Sequence, residues 1–389
     1  MASMARTRLK RTWRIDWPLL CIVAFMVVFG LIMMYSASST HGIEGQDRAP
    51  GYFLVRQLRA LGVGIAALLV GYLIPYRLYQ RLAVPIVLAV VLVLGGMAVL
   101  GLLKGGTSTD TNRWLMQAGG SSSVQPTEML RIGIQVYLAA WLAAKGSRIQ
   151  SVRLGLAPFG LLLGVMAGFV LAQPDLSSAV VVVLSALAMF YVAGAKWWQI
   201  GVLLLLAALA AFFVVFVVGY NLERWELFWL DPFEHPVGSN IHMGHAAVAL
   251  RRGGLTGVGL GHGDVKYRLY ACHSDLLLSV IGEELGLLGT SLVVAVFALW
   301  TVQGLRVAMS APDTFSSLLA LGLVLWVTFE GAMHIGVSAR LLIPTGTVLP
   351  FMSSGGSSLV SNLAAVGILL NISAAGGLAD REARGLDGA

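Results

Sequence analysis

The sequence predicts an all-α polytopic membrane protein with ten transmembrane helices and a large extracytoplasmic loop between spans 7 and 8. Three observations lead there. Of 389 residues, 57% are hydrophobic and only 12% charged, where soluble domains carry roughly a quarter charged. Apolar runs of about twenty residues, enough to cross roughly 30 Å of hydrocarbon as helix, recur along the chain. One stretch, Trp225 to Gly289, breaks that pattern and is mostly polar, rich in Gly, His and charge.

The runs fall at 17–38, 54–75, 82–103, 125–144, 155–173, 176–195, 197–219, 276–300, 314–338 and 349–374. Arg6, Arg8, Lys10, Arg11 and Arg14 precede the first, which is too long for a signal-peptide core and has no small-residue cleavage site after it. It reads as an uncleaved anchor with a cytoplasmic N-terminus. Ten spans return Arg381 and Arg384 to the same side, and Arg77, Arg81, Lys145, Arg148 and Arg153 also fall inside, as the positive-inside rule asks. The polar insert then lies outside; its Arg224, Arg251, Arg252, Lys266 and Arg268 are tolerated because long translocated loops largely escape that rule.

Composition excludes several classes. Cys21 and Cys272 are too few and too differently placed for a disulfide framework or a metal knuckle. The net charge of +7 is scattered over short connections rather than gathered on one nucleic-acid-binding face. No fixed short repeat appears, so one membrane unit spanning 1–389 is expected.

Ionisable residues inside spans are costly and mark candidate sites. Glu128 and Arg131 are three apart and can neutralise each other on one helix face. Arg56 and Arg59 share a face near the outer end of the second span, where they would snorkel to headgroups or hold a phosphate. Glu283 and Glu284 follow Asp275 by eight and nine residues, placing Glu283 near the Asp275 face. Glu330 and His334, four apart on one face, could give a metal two ligands but, without a third, read as a hydrogen-bonded pair. Asp275 itself directly precedes an apolar run, so its carboxylate belongs where a helix meets the water interface; capping that helix is its plainer role.

Two glycine-rich turns stand out. The first, Gly253 to Gly263, follows no strand and therefore is not a dinucleotide cradle. With Arg251 and Arg252 before it and Lys266 and Arg268 after it, it reads instead as an outer-surface anion site that suits pyrophosphate. The second, Pro350 to Ser358, lets helices approach closely or lines a cavity with serine hydroxyls, Ser357 among them.

Read in order, these segments resemble the SEDS family of cell-wall enzymes, the FtsW, RodA and SpoVE group, over nearly the whole chain. The carrying motifs are Tyr35-Ser36-Ala37-Ser38, Asn112-Arg113-Trp114-Leu115, Gln125-Pro126-Thr127-Glu128 and Gln173-Pro174-Asp175. Asp231-Pro232, Gly257-Val258-Gly259-Leu260-Gly261, His273-Ser274-Asp275, Gly282-Glu283-Glu284-Leu285-Gly286 and Pro344-Thr345-Gly346 follow, then Leu349-Pro350-Phe351 and Gly355-Gly356-Ser357-Ser358. Tyr35-Ser36-Ala37-Ser38 and Gly257-Val258-Gly259-Leu260-Gly261 lean towards the FtsW-like branch. Departures fall at His242 and His245, Tyr270-Ala271-Cys272, His334, Arg340 and Ser354.

The resemblance implies a peptidoglycan glycosyltransferase that polymerises lipid II at the outer face of a bacterial cytoplasmic membrane, for division or elongation, beside a class B penicillin-binding protein transpeptidase. It implies a single SEDS-type domain with a basic cytoplasmic tail at 1–16, an outer loop at 220–275 and a cytoplasmic tail at 376–389. It makes Asp275 the catalytic carboxylate and carries functional weight to Glu128 and Arg131.

The chemistry agrees. Extending a glycan from a lipid pyrophosphate needs a base for the attacking hydroxyl, and partial burial strengthens an aspartate for that task. The departing pyrophosphate needs positive charge, for which Lys266, Arg268, Arg251, Arg252, Arg113 and Arg340 are candidates, with a divalent cation, Mg or Mn, as a further bridge. Two rivals remain: a lipid-linked precursor flippase with Glu128, Arg131 and Glu283 along a passage, and a scaffold that has lost catalysis.

Overall fold

The computed structural model describes residues 15–38, 52–103, 125–171, 175–220, 222–268 and 272–383, and among them all regular structure is helical. The helices are α1 (Trp17–Ser38), α2 (Tyr52–Leu73), α3 (Tyr76–Arg81), α4 (Ala83–Leu103), α5 (Pro126–Lys145), α6 (Ala157–Leu171) and α7 (Leu176–Val192). After them come α8 (Trp197–Phe212), α9 (Leu222–Trp229), α10 (Ser239–Gly253), α11 (Leu277–Met309), α12 (Thr314–Ser338) and α13 (Gly356–Ala383). Among the described residues, seven helical stretches are long and apolar enough to cross a membrane: those built on α1, α2, α6, α8, α11, α12 and α13. Of the other expected spans, α4 and α7 contribute shorter apolar stretches, Ala83–Gly96 and Leu176–Val192, while α5 carries Glu128 and Arg131.

Local chemistry sets the ends. Pro126 opens α5 at the first turn, where its missing N–H costs nothing. Asp175 caps α7 by accepting from the Ser178 amide at 3.0 Å, and Asp313 caps α12 by accepting from Ser316 N at 2.8 Å. Two expectations shift. The last helix begins at Gly356 rather than near residue 349, because the chain first makes a turn in which Phe351 adopts φ 65° and packs its ring 5.5 Å from Trp300. The polar insert is not a plain loop: it folds into α9, α10 and a 3-10 turn, Val265–Arg268.

Helices α12 and α13 form the enclosed centre, and α2 and α8 the most exposed spans. Without a hydrophobic drive between helices in lipid, close approach through small residues is what holds such a bundle. Between α2 and α13 the backbones touch: a methyl group on Gly367 would lie 2.1 Å from the Leu68 carbonyl oxygen, and one on Gly71 would lie 2.7 Å from that of Ala364. Gly367→Ala is therefore expected to force the helices apart and destabilise the fold by about 1–3 kcal/mol. A thermal-unfolding midpoint equal to that of the unaltered protein would refute this packing.

Candidate active site

Asp275 sits in the turn leading into α11. The helix cap position is taken by Leu276, which has no capping side chain, so the plain capping role does not describe Asp275. Its segment is held on two sides. The His273 ring stacks on Phe53 of α2 with centroids 3.7 Å apart, and the His273 carbonyl accepts from Ser354 N at 2.9 Å. Gln57, one turn beyond Phe53, donates to the Ser353 carbonyl at 3.1 Å and accepts from Gly355 N at 3.3 Å. Thus α2 clamps both the 273–275 turn and the 349–355 turn.

The Asp275 side chain is half-buried and lies beside Gly346, a residue of a cleft wall. A methyl group on Gly346 would come within 3.3 Å of Asp275 Oδ2. Gly346 in turn lines a small, open cleft. Its walls are the start of α7 (Leu176, Ser177), the α8–α9 corner (Tyr220, Arg224, Trp225) and residues 343–346. Arg224 donates to the Pro344 carbonyl at 3.4 Å across this cleft. Sequence reasoning missed Arg224 as a site residue, having counted it only among loop charges.

Behind the cleft lies a buried charge network. Arg131 bonds Glu128 at 2.9 Å and Glu330 at 2.8 Å, and its other contact is the Ser178 hydroxyl. Ser178 Oγ donates to Asp175 at 2.5 Å, and the Trp326 ring lies 5.7 Å from the guanidinium. The expected Glu128–Arg131 pair is present, but both side chains are buried and engaged with each other rather than turned to the cleft. Glu330 and His334 do not pair with each other: Glu330 is drawn to Arg131, and His334 Nδ1 donates to the Thr347 carbonyl at 2.8 Å. A strong cation on a neighbouring helix outweighs a neighbour one turn away.

A second buried network fixes the insert to the spans. Lys266, expected at an anion-binding surface, is fully buried; its ammonium donates to Glu284 at 2.8 Å, Ser36 at 3.1 Å and the Gly261 carbonyl at 3.0 Å. Three donors are used, so its position corrects the reading of a surface phosphate ligand. Ser36 also donates to Glu284 at 2.6 Å. Glu283, also buried, accepts from the amides of Asp264 and Val265 at 3.0 and 3.1 Å and from Arg252 at 3.3 Å.

The remaining candidates divide. Arg56 is half-buried three residues from Phe53 and so on the Asp275 side of α2, while Arg59 is exposed. Arg251, Arg252 and Arg268 are exposed on the insert, with Arg252 bound to Asp264 at 2.7 Å. Ser357 is buried and accepts from Gln125 N at 3.0 Å, tying α13 to α5. Arg340 donates to the Leu230 and Phe228 carbonyls at 2.6 and 3.2 Å and so holds the end of α9. On α10, burial first, and His245 second, hold His242 below the ordinary histidine range, which keeps it neutral near pH 7. Arg113 lies outside the described residues. Among the described residues no three His, Cys, Asp or Glu side chains converge on a metal site.

A family profile described as "Cell cycle protein", for the FtsW, RodA and SpoVE group, matches residues 17–376. The chain is 36% identical to the probable peptidoglycan glycosyltransferase FtsW of Geobacter metallireducens, over 95% of this chain and 97% of that one. It is 33% identical to the stage V sporulation protein E of Bacillus subtilis, over 92% and 96%. Its structure is similar to that of a chain from a peptidoglycan synthase complex that coordinates polymerization and crosslinking, with TM-score 0.70, 26% identity and coverage of 92% and 97%. The rod shape determining protein RodA of Thermus thermophilus shares the fold at TM-score 0.65 and 24% identity, with coverage of 92% and 96%.

Proposed function

Because this multi-pass membrane protein belongs to the FtsW, RodA and SpoVE family of cell cycle proteins and is a peptidoglycan glycosyltransferase, we propose that it polymerises lipid II with Asp275 as the base. The observation that carries this is the sharing of Gly346 between the Asp275 carboxylate and the cleft wall. Asp275 accepts the proton of the attacking sugar hydroxyl. The hydroxyl oxygen bonds to the anomeric carbon of the other sugar while the bond to the lipid pyrophosphate breaks on the opposite face, so that centre inverts. All ten helices that match the apolar runs cross the cytoplasmic membrane in this reading, with both termini inside and α9, α10 and Asp275 outside.

The leaving pyrophosphate needs cations, and Arg224 in the cleft wall is placed to supply one; half-buried Arg56 and exposed Arg59, Arg251, Arg252 and Arg268 are the further candidates. Arg224→Ala is expected to raise KM for lipid II about tenfold or more, the loss of one charge-assisted contact, with little change in thermal stability. An unchanged KM would remove Arg224 from the site. Among the described residues no carboxylate triad forms, and Asp275 beside the cleft is a fitting protein group for a Mg or Mn ion that arrives on the diphosphate, since Mg commonly binds one or two carboxylates plus substrate phosphates. Chelation with EDTA is then expected to stop polymerisation and added Mg or Mn to restore it; full activity in EDTA would leave neutralisation to arginine alone.

Glu128, Arg131 and Glu283 are all buried and paired, which supports a closed interior over a precursor passage. The similarity to a chain from a peptidoglycan synthase complex supports a class B penicillin-binding protein as partner. The deciding experiment gives purified protein lipid II in vesicles and reads glycan strands by gel. Strands that disappear with Asp275→Asn support the reading; lipid movement between leaflets without strands would replace it with a flippase.

A further inference from the structure

We propose that α9 and the turn after it lie in the headgroup region of the outer leaflet, with Trp229, Leu230, Phe233 and Val237 seated among the lipids. These four side chains are 74%, 40%, 63% and 54% exposed. They follow one another along a segment that is otherwise charged, with Glu223, Arg224, Glu226, Glu234 and His235 also exposed. An exposed apolar row of this kind needs an occupant, and its position identifies one.

The row is continuous with the lipid-facing end of a membrane span. At the end of the stretch Trp197–Val217, Phe212, Phe213, Phe216 and Val217 are all exposed on an apolar helix. The chain turns back at once: Tyr220 N bonds the Val214 carbonyl at 3.1 Å, and α9 begins at Leu222. Trp225 then meets Phe216 with ring centroids 5.4 Å apart. Helix α9 therefore rests against the end of the span, and Trp229 with the turn after it extends the same apolar belt sideways. Tryptophan at headgroup level is the common anchor of such segments.

The protein-facing side of α9 is occupied. Leu227 is buried, Trp225 lines the cleft, and Arg340 and Arg224 tie the helix to the neighbouring turn. Lipid on one side and the cleft on the other make α9 the partition between them. This placement does not depend on which reaction the cleft performs.

The test uses the full-length protein in lipid nanodiscs with the exposed Cys21 changed to serine, Cys272 being buried. Trp229→Cys, Phe233→Cys and, as a span control, Leu205→Cys are each labelled with an environment-sensitive fluorophore. Labels at 229 and 233 are expected to be quenched most by a spin label near the lipid glycerol, and the label at 205 by one deeper in the chains. All three should resist aqueous iodide several-fold better than the free dye. Iodide quenching at 229 and 233 as strong as that of the free dye would place the row in water and overturn the proposal. Insensitivity to both quenchers would mean that protein, not lipid, covers it, and would equally overturn it.

Discussion

Polymerisation by the Asp275→Ala protein is expected to fall by about 10²–10⁴-fold, the range that general-base catalysis contributes, with strands below detection. The fold should survive. Asp275 is half-buried and is not the cap of α11, and its turn is held by the His273 ring on Phe53 and by the His273 carbonyl. With those contacts in place the gel-filtration profile should remain that of a folded protein, and binding of lipid II should persist. Asp275→Asn keeps the shape, loses the base and should be equally inactive. Strand synthesis by either variant at the unaltered rate would end the assignment.

The second large effect is structural. Arg131→Met is expected to cost about 3–5 kcal/mol, because removing one partner of a buried ionic network leaves uncompensated charge. Here Glu128 and Glu330 would both lose their cation, and helices α5, α7 and α12 the group that bonds side chains from all three. Arg131→Lys should recover part of the loss. One ammonium lacks the planar fork that reaches Glu128, Glu330 and Ser178 together. The measurement is the thermal-unfolding midpoint in detergent, alongside the fraction of monodisperse protein. Equal midpoints for Met and Arg would show that the network contributes nothing to stability.

The membrane-helical class was legible because lipid imposes a length and a composition that recur in one dimension: the run at 314–338 coincides with α12 to the residue. Partners of charged side chains were not, since they depend on folding in three. Lys266 lies among exposed arginines on the chain, and nothing nearby announces that Ser36, 230 residues away, and Glu284 will enclose it. Glu330 has His334 one turn along, yet Arg131, 199 residues away, takes it. Glu128 and Arg131 were readable together because their bond lies within one helix turn. Arg224 was passed over for a related reason: in sequence it is one more loop charge, and only the return of the chain at 343–346 turns it into a cleft wall.

The seam between α10 and α11 sets what can move. A methyl group on Gly253 would sit 1.8 Å from the Gly282 carbonyl oxygen, and one on Gly257 would sit 2.1 Å from that of Glu284. Glu283 and Glu284 bolt the following turn down. Such a joint neither slides nor hinges, so α10 and the first turns of α11 must rock as a single lever. Any widening of the mouth beside Asp275 then falls to its opposite jaw, where two arginines hold the backbone by three single bonds. Amide exchange should be slow along the lever and fast in the jaw.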